Sequence, residues 1–149
     1  MDNIIAGTMR IKTIGLVLAV VASVAQTGFS TDQRRGIDFF DGNWKEGLKK
    51  AETEKKPVFV YLYAKWCGQC KQLKRGAFKS EEAGKYFNKN FINVAVDGET
   101  PEGAKIMRSY NVKSYPTLLI VDARGNLLSK TTGNMKPYIL INFGRRIVP

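Results

Sequence analysis

An uninterrupted run of apolar and aromatic residues at positions 58–63 constrains the fold of this chain more than any other feature. The run follows Pro57 and consists of valine, phenylalanine, tyrosine and leucine, most of which favour β-strands. A strand without alternating polar positions is typical of the centre of a sheet that is covered on both faces. We therefore expect a central strand with helices packed on both sides of it.

Helical and extended patterns alternate along the rest of the chain. Trp44, Leu48 and Ala51 recur at the spacing of one helix face, with Asp41 or Asn43 as the expected N-cap. Further helices are predicted over residues 67–78, from Ser80 onwards, over 102–110 and over 137–143. Further strands are predicted over residues 91–96, 118–121 and 127–132. This order indicates an α/β fold with a central mixed β-sheet flanked by helices on both faces.

The N-terminal residues have the pattern of a secretory signal peptide. Arg10 and Lys12 precede an apolar stretch at residues 14–25, which ends in small residues. The stretch is shorter than the roughly 20 residues that span a bilayer, and an uncleaved anchor is the alternative. We expect a signal peptide at residues 1–25, a folded domain at residues 36–149 and a secreted or periplasmic location.

The chain is strongly basic, with a formal net charge of +11 from 24 Lys and Arg against 13 Asp and Glu. Such a charge favours acidic partners or an anionic membrane surface. The basic residues are scattered, and export separates a protein from nucleic acid. We therefore expect no nucleic-acid partner, membrane contact only through the signal peptide or weak surface charge, and a monomer.

Cys67 and Cys70 are the only cysteines, and two residues separate them. A disulfide between them would close too short a loop to constrain the unfolded chain appreciably, so a purely structural role is a poor explanation. At a helix start, unpaired backbone N–H groups and the helix dipole favour the thiolate of Cys67, and Lys65 and Lys71 add positive charge. The pattern indicates thiol–disulfide exchange, with Cys67 as nucleophile and Cys70 as the more buried resolving cysteine.

Other chemistries of paired cysteines fit the sequence less well. The chain contains no histidine and no third cysteine, whereas zinc sites and iron–sulfur clusters each take about four ligands. A metal cluster would therefore need two chains. The absence of histidine also excludes a Cys–His hydrolase. We expect no metal and no cofactor.

Two motifs resemble the thioredoxin family: Trp66-Cys67-Gly68-Gln69-Cys70 is similar to its active-site motif, and Tyr115-Pro116-Thr117 is similar to its cis-proline loop. The resemblance implies a thioredoxin fold in which Pro116 is cis and the backbone of Tyr115 pairs with an extended substrate. It implies that Trp66 flanks the site, with Gly68 and Gln69 in the active-site loop. Residues 63–96 further resemble exported thioredoxin-like proteins related to the C-terminal domain of the periplasmic electron-transfer reductase.

Some positions depart from the family pattern. Gly68-Gln69 stands where thioredoxins usually have Gly-Pro between the cysteines. Tyr61 aligns with the family's buried aspartate, which accepts the proton of the resolving cysteine, and Asn93 lies near the position of the lysine that accompanies it. Glu99 or solvent would then have to accept the proton of Cys70.

The resemblance implies a protein-disulfide oxidoreductase that reduces disulfides of exported proteins, with oxidation or isomerisation of such disulfides as the other directions open to the same cysteine pair. An unidentified thiol donor would return the cysteine pair to its reduced state. The alternative is a redox-inactive thioredoxin-fold module that binds partners or acts as a chaperone.

Overall fold

The computed structural model describes residues 36–149, so the predicted signal peptide at residues 1–25 lies outside the described part of the chain. The helices of this part are α1 (Trp44–Glu54), α2 (Gly68–Arg75), α3 (Glu81–Asn90), α4 (Pro101–Ser109) and α5 (Pro137–Arg145). The strands are β1 (Val58–Tyr63), β2 (Ile92–Asp97), β3 (Thr117–Val121) and β4 (Leu127–Thr132). Within residues 36–149, none of the helices has the length and apolar character needed to cross a membrane.

The four strands of the described region form one mixed sheet in the order β2-β1-β3-β4. β1 runs parallel to β2, with Val58 opposite Ile92 and Tyr63 opposite Asp97. β1 is antiparallel to β3, and β3 is antiparallel to β4. β1 is therefore an inner strand, as its continuous apolar run predicted.

The two faces of the sheet carry separate apolar clusters because successive side chains of a strand point to opposite sides. Phe59 belongs to one cluster, together with Phe87 of α3 and Leu140 of α5. Val60 belongs to the other, together with Ile106 of α4. Both β1 side chains are fully buried. The predicted mixed sheet with helices on both faces is confirmed.

The helix after the cysteine motif is shorter than the sequence pattern predicted. α2 ends at Arg75, and Gly76 has φ −99° and ψ −97°, outside the helical region. A short 3₁₀ turn, Ala77–Lys79, follows it. The prediction of one helix over residues 67–78 is therefore wrong at its C-terminal end, because glycine leaves the helical conformation with little steric penalty.

Candidate active site

The predicted reactive cysteines lie where three strand ends meet. Tyr63 at the end of β1 is paired with Asp97 at the end of β2, and Leu62 is paired with Thr117 at the start of β3. After β1 the chain turns directly into α2, for which Cys67 is the N-cap. The fold thus places the start of α2 and the loop before β3 at the same end of the sheet.

Cys67 and Cys70 are joined by a disulfide, with their Cα atoms 5.3 Å apart. The Sγ atom of Cys67 accepts a hydrogen bond from the backbone N–H of Cys70 at 3.1 Å. In the reduced protein, the N–H groups and dipole of the helix start would lower the pKa of a thiol at this position. The first turn of α2 contains no acidic residue, and Lys74 and Arg75 lie in its last turn. The local geometry favours an anionic sulfur at Cys67.

Both cysteines are nearly buried, with Cys67 4% exposed and Cys70 2% exposed. The order agrees with the expectation that Cys70 is the more buried of the two, but the margin is small. Their positions relative to the helix start therefore distinguish the two sulfurs better than their burial does. Trp66, by contrast, is 69% exposed and lies on the surface beside the pair.

The loop before β3 contains a cis peptide bond between Tyr115 and Pro116. The carbonyl oxygen of Pro116 accepts a hydrogen bond from the backbone N–H of Gly133 at 2.8 Å. Gly133 has φ +91°, a conformation that glycine adopts without strain. The ring of Tyr115 meets Trp66 edge-on, with ring centroids 5.9 Å apart. The structure thus brings together Trp66 and the Tyr115-Pro116 loop, which the sequence predicted for one site.

Comparison with known proteins agrees with this arrangement. A family model described as thioredoxin-like matches residues 40–123, which is more than half of the chain. The chain belongs to the thioredoxin-like family. The resemblance inferred from its two motifs is therefore confirmed.

Curated relatives of this thioredoxin-like chain are named for thiol–disulfide exchange. The thiol:disulfide interchange protein DsbD of Colwellia psychrerythraea is 32% identical over 97 residues, which are 62% of this chain and 16% of that protein. DsbD of Yersinia pestis is 31% identical over 88 residues, which are 57% of this chain and 15% of that protein. The chain therefore spans about a sixth of the length of these relatives.

Solved structures show the same fold. A protein described as a candidate disulphide-isomerase from Bacteroides thetaiotaomicron has a TM-score of 0.66 at 36% identity, over 72% of this chain and 89% of that chain. The oxidised C-terminal domain of DsbD from Neisseria meningitidis has a TM-score of 0.61 at 23% identity, over 73% of this chain and 98% of that chain. The second likeness supports the fold alone. The relatives and the bonded cysteine pair together support thiol–disulfide exchange as the chemistry of the site.

The hydroxyl of Tyr115 is anchored by Glu99 and Met107. Its oxygen lies 2.9 Å from Oε1 of Glu99, to which it donates, and 2.9 Å from Sδ of Met107. Gly98 packs against this hydroxyl so closely that a Cβ atom there would collide with it. Burial, followed by the hydrogen bond to Glu99, raises the pKa of Tyr115 to about 12. The Glu99 carboxylate, which the sequence offered as a proton acceptor for Cys70, accepts this hydrogen bond from Tyr115.

Tyr61 occupies the position that aligns with the family's aspartate. Its hydroxyl donates a hydrogen bond to the backbone carbonyl oxygen of Cys70 at 3.0 Å. Burial, with a smaller contribution from Tyr63, raises the pKa of Tyr61 to about 12. The Tyr61 hydroxyl therefore stays protonated near neutral pH and holds the backbone of Cys70, without acting as a base toward its sulfur.

A cavity of about 400 Å³ lies beside the disulfide on the side of β2. Its lining consists of Phe39, Tyr61, Tyr63, Ala64, Lys65, Cys70, Lys71, Lys74 and Ala95. The sequence motifs did not reveal this cavity, because its lining comes from four separate segments of the chain. Cys70 therefore lines a cavity whose walls do not include Trp66.

Within residues 36–149, no cluster of three or more Cys, Asp or Glu side chains has an arrangement that could hold a metal ion.

Proposed function

We propose that this thioredoxin-like chain is a thiol–disulfide oxidoreductase that reduces disulfides of exported proteins through Cys67 and Cys70. The observation that carries the proposal is the disulfide at the start of α2, close to the loop that contains the cis Tyr115–Pro116 bond. The names of the DsbD relatives support thiol–disulfide exchange. The signal-like pattern at residues 1–25 supports an exported, secreted or periplasmic, location.

The reaction proceeds in two exchanges. The thiolate of reduced Cys67 attacks one sulfur of the substrate disulfide, so that a mixed disulfide forms and a substrate thiolate leaves. The thiolate of Cys70 then attacks Sγ of Cys67, which forms the Cys67–Cys70 disulfide and releases the second substrate thiolate. Two electrons pass to the substrate, and a donor dithiol of unknown identity restores the reduced pair by the reverse exchange.

The substrate surface is formed by the exposed residues around the sulfurs. Trp66 and the Tyr115-Pro116 loop flank the pair, while Gly68 has open space around the position of a side chain. Gln69 is exposed in the first turn of α2. We assign these residues to binding an extended segment of the substrate beside the disulfide.

Insulin reduction with dithiothreitol as the donor tests the proposal. The wild-type protein is expected to accelerate precipitation of the insulin B chain, whereas Cys67→Ser is expected to be inactive. Cys70→Ser is expected to lack turnover but to accumulate a mixed disulfide through Cys67, which intact-protein mass spectrometry detects. Circular dichroism of both variants checks that the fold is retained.

The direction of electron flow is measured by equilibrating the protein with glutathione buffers. A reductase has a potential below that of glutathione, so the disulfide should persist until glutathione is strongly reducing. A potential well above that of glutathione would overturn the reductase assignment. Full retention of cellular function in the Cys67→Ser, Cys70→Ser double variant would instead favour a redox-inactive binding or chaperone-like module, for which the exposed Trp66 is the best candidate surface.

A further inference from the structure

Cys70 must lose a proton before it can resolve the mixed disulfide, since the thiolate is the attacking species. The residues lining the cavity beside Cys70 include no aspartate or glutamate. Asp97 lies at the end of β2, with Oδ2 3.8 Å from Nζ of Lys65, and Glu99 accepts a hydrogen bond from Tyr115. The described lining of this cavity thus offers no carboxylate to take up the proton of Cys70, although Asp97 lies next to Lys65 of that lining.

The charged and titratable groups that share the cavity with Cys70 are tyrosines and lysines. Tyr61 and Tyr63 come from β1, Lys65 from the loop after β1, and Lys71 and Lys74 from α2. Burial raises the pKa of both tyrosines, so neither is an anion near neutral pH. Lys71 and Lys74 bring positive charge to the wall of this cavity, while the ammonium group of Lys65 lies beside the carboxylate of Asp97. Positive charge near a sulfur favours its thiolate form, because opposite charges stabilise each other.

One wall of the cavity comes from β2, which is the edge strand of the sheet next to β1. Ala95 is exposed on this strand although its neighbours Val94 and Val96 are buried. It lies opposite Tyr61 in the β1–β2 register. A methyl group at this position leaves the cavity open, whereas a larger side chain would enter it.

We propose that Cys70 releases its proton to solvent through this lysine-rimmed cavity, and that the small side chain of Ala95 keeps the route open. The inference rests on the proposed function, because it concerns the second exchange of that reaction. The Cys70 S–H bond breaks, the proton passes to water, and the resulting thiolate forms the bond to Sγ of Cys67 while the substrate thiolate leaves. Ala95 and Lys74 act through Cys70 and are positioning residues.

Substitutions at residue 95 test the route with a control at the same position. Ala95→Phe and Ala95→Leu fill the cavity to different extents, and Ala95→Ser leaves it open. Phenylalanine and leucine are both compatible with a strand, and the exposed position reduces the risk of unfolding. Lys74→Gln removes one ammonium group from the rim, and Lys105→Gln on α4, away from this lining, is its matched control.

Stopped-flow reaction of the reduced protein with dithiodipyridine separates the two exchanges. This probe is uncharged, so changes at lysine residues do not alter its attraction to the protein. Attack by Cys67 releases the first thiopyridone, and attack by Cys70 on the mixed disulfide releases the second. The pH profile of the second phase reports the titration of Cys70, while the first phase is an internal control.

Filling the cavity removes water from Cys70, which is expected to raise the pKa of its thiol and so lower the thiolate population. The second phase should therefore slow most in Ala95→Phe, less in Ala95→Leu and not in Ala95→Ser. Lys74→Gln should shift the pH midpoint of the second phase upwards, and Lys105→Gln should leave it unchanged.

Two outcomes separate failure of this inference from failure of the proposed function. A normal first phase with a second phase that is unaffected by Ala95→Phe and Ala95→Leu would overturn the solvent route alone. Absence of the first phase in the wild-type protein would instead overturn the assignment of Cys67 as a nucleophile. Equal slowing of both phases in Ala95→Phe would show a general structural effect and would also overturn the proposed route.

Discussion

The hydroxyl groups of two tyrosines fix neighbouring groups around the disulfide. Tyr61 holds the carbonyl oxygen of Cys70 in place of a buried aspartate near the sulfur. Tyr115 donates to Glu99 and so engages the carboxylate that sequence comparison offered as a substitute base. Burial, as the largest cause, raises the pKa of both tyrosines to about 12. Both hydroxyls are therefore protonated and neutral near physiological pH. The site is therefore held by fixed neutral donors.

The raised pKa of Tyr115 predicts a loss of stability at alkaline pH. Its folded pKa of about 12 lies above the ordinary value of 10.0, so the folded state retains a proton that the unfolded state has lost. This contribution is fully present below about pH 10 and is lost as the pH rises through the folded pKa. The free energy of unfolding, measured with urea, should fall less steeply over this range in Tyr115→Phe than in the wild type.

Tyr138→Phe is the control for this measurement, because Tyr138 is 60% exposed. The substitution removes no hydrogen bond that is described for its hydroxyl. Its stability should follow the wild-type pH dependence. Identical slopes for the wild type and Tyr115→Phe would contradict the assignment of a protonated, hydrogen-bonded hydroxyl to Tyr115.

At the scale of secondary-structure elements, α1 shows how a local signal fixes a helix start. The side chain of Asn43 accepts the backbone N–H of Glu46 at 3.0 Å, and the Glu46 carboxylate accepts the backbone N–H of Asn43 at 2.9 Å. This reciprocal capping box satisfies backbone donors that would otherwise lack partners. It also decides between the two N-caps that the sequence allowed, in favour of Asn43 over Asp41.

Removal of this cap should destabilise the protein measurably. Asn43→Ala is expected to lower the free energy of unfolding by about 1 kcal/mol, since loss of an N-cap side chain typically has an effect of roughly 0.5–2 kcal/mol. Asn43→Ser should retain most of the stability. Lys45→Ala, an exposed change in the same turn, serves as the control in urea unfolding. Equal effects of Asn43→Ala and Lys45→Ala would contradict the capping role.

Much of the fold could be predicted because its signals are local. The continuous apolar run at residues 58–63 predicted β1, and β4 begins and ends where its pattern indicated, at Leu127–Thr132. The prediction that the helix continues through Gly76 was wrong. A glycine inside an otherwise helical pattern is compatible with both continuation and termination, and only the packing of the following 3₁₀ turn decided for termination.

The site was predictable only in part, because only some of its signals are local in the sequence. The spacing of Cys67 and Cys70 is a local signal, and the motifs pointed to Trp66 and Pro116. The hydrogen bond between Tyr115 and Glu99 joins residues 16 positions apart, and nothing in either residue type indicates the contact. The cavity beside Cys70 likewise depends on the β1–β2 register, which places Ala95 opposite Tyr61.

At the scale of the whole described domain, the two reactive cysteines belong to one of the two apolar clusters and lie at its edge, where the strands end. Both faces of β1 are closed by apolar clusters, and the reactive sulfurs lie at one end of the strands. The start of α2, the end of β2 and the loop before β3 all lie at this end of the sheet. Each of these elements supplies part of the site from its end, and the strands themselves remain continuous. The net charge of +11 gives the protein a positive field, which favours anionic sulfur species and acidic partners.

The central claim is that the start of α2 makes Cys67 the reactive thiolate of the pair. Alkylation of the reduced protein with iodoacetamide over a range of pH, mapped by mass spectrometry, measures this directly. The account predicts that Cys67 is modified first, with a pH midpoint below the value of about 8.5 for a free cysteine, while Cys70 reacts much more slowly. Preferential modification of Cys70, or a Cys67 midpoint at or above that of a free cysteine, would contradict it.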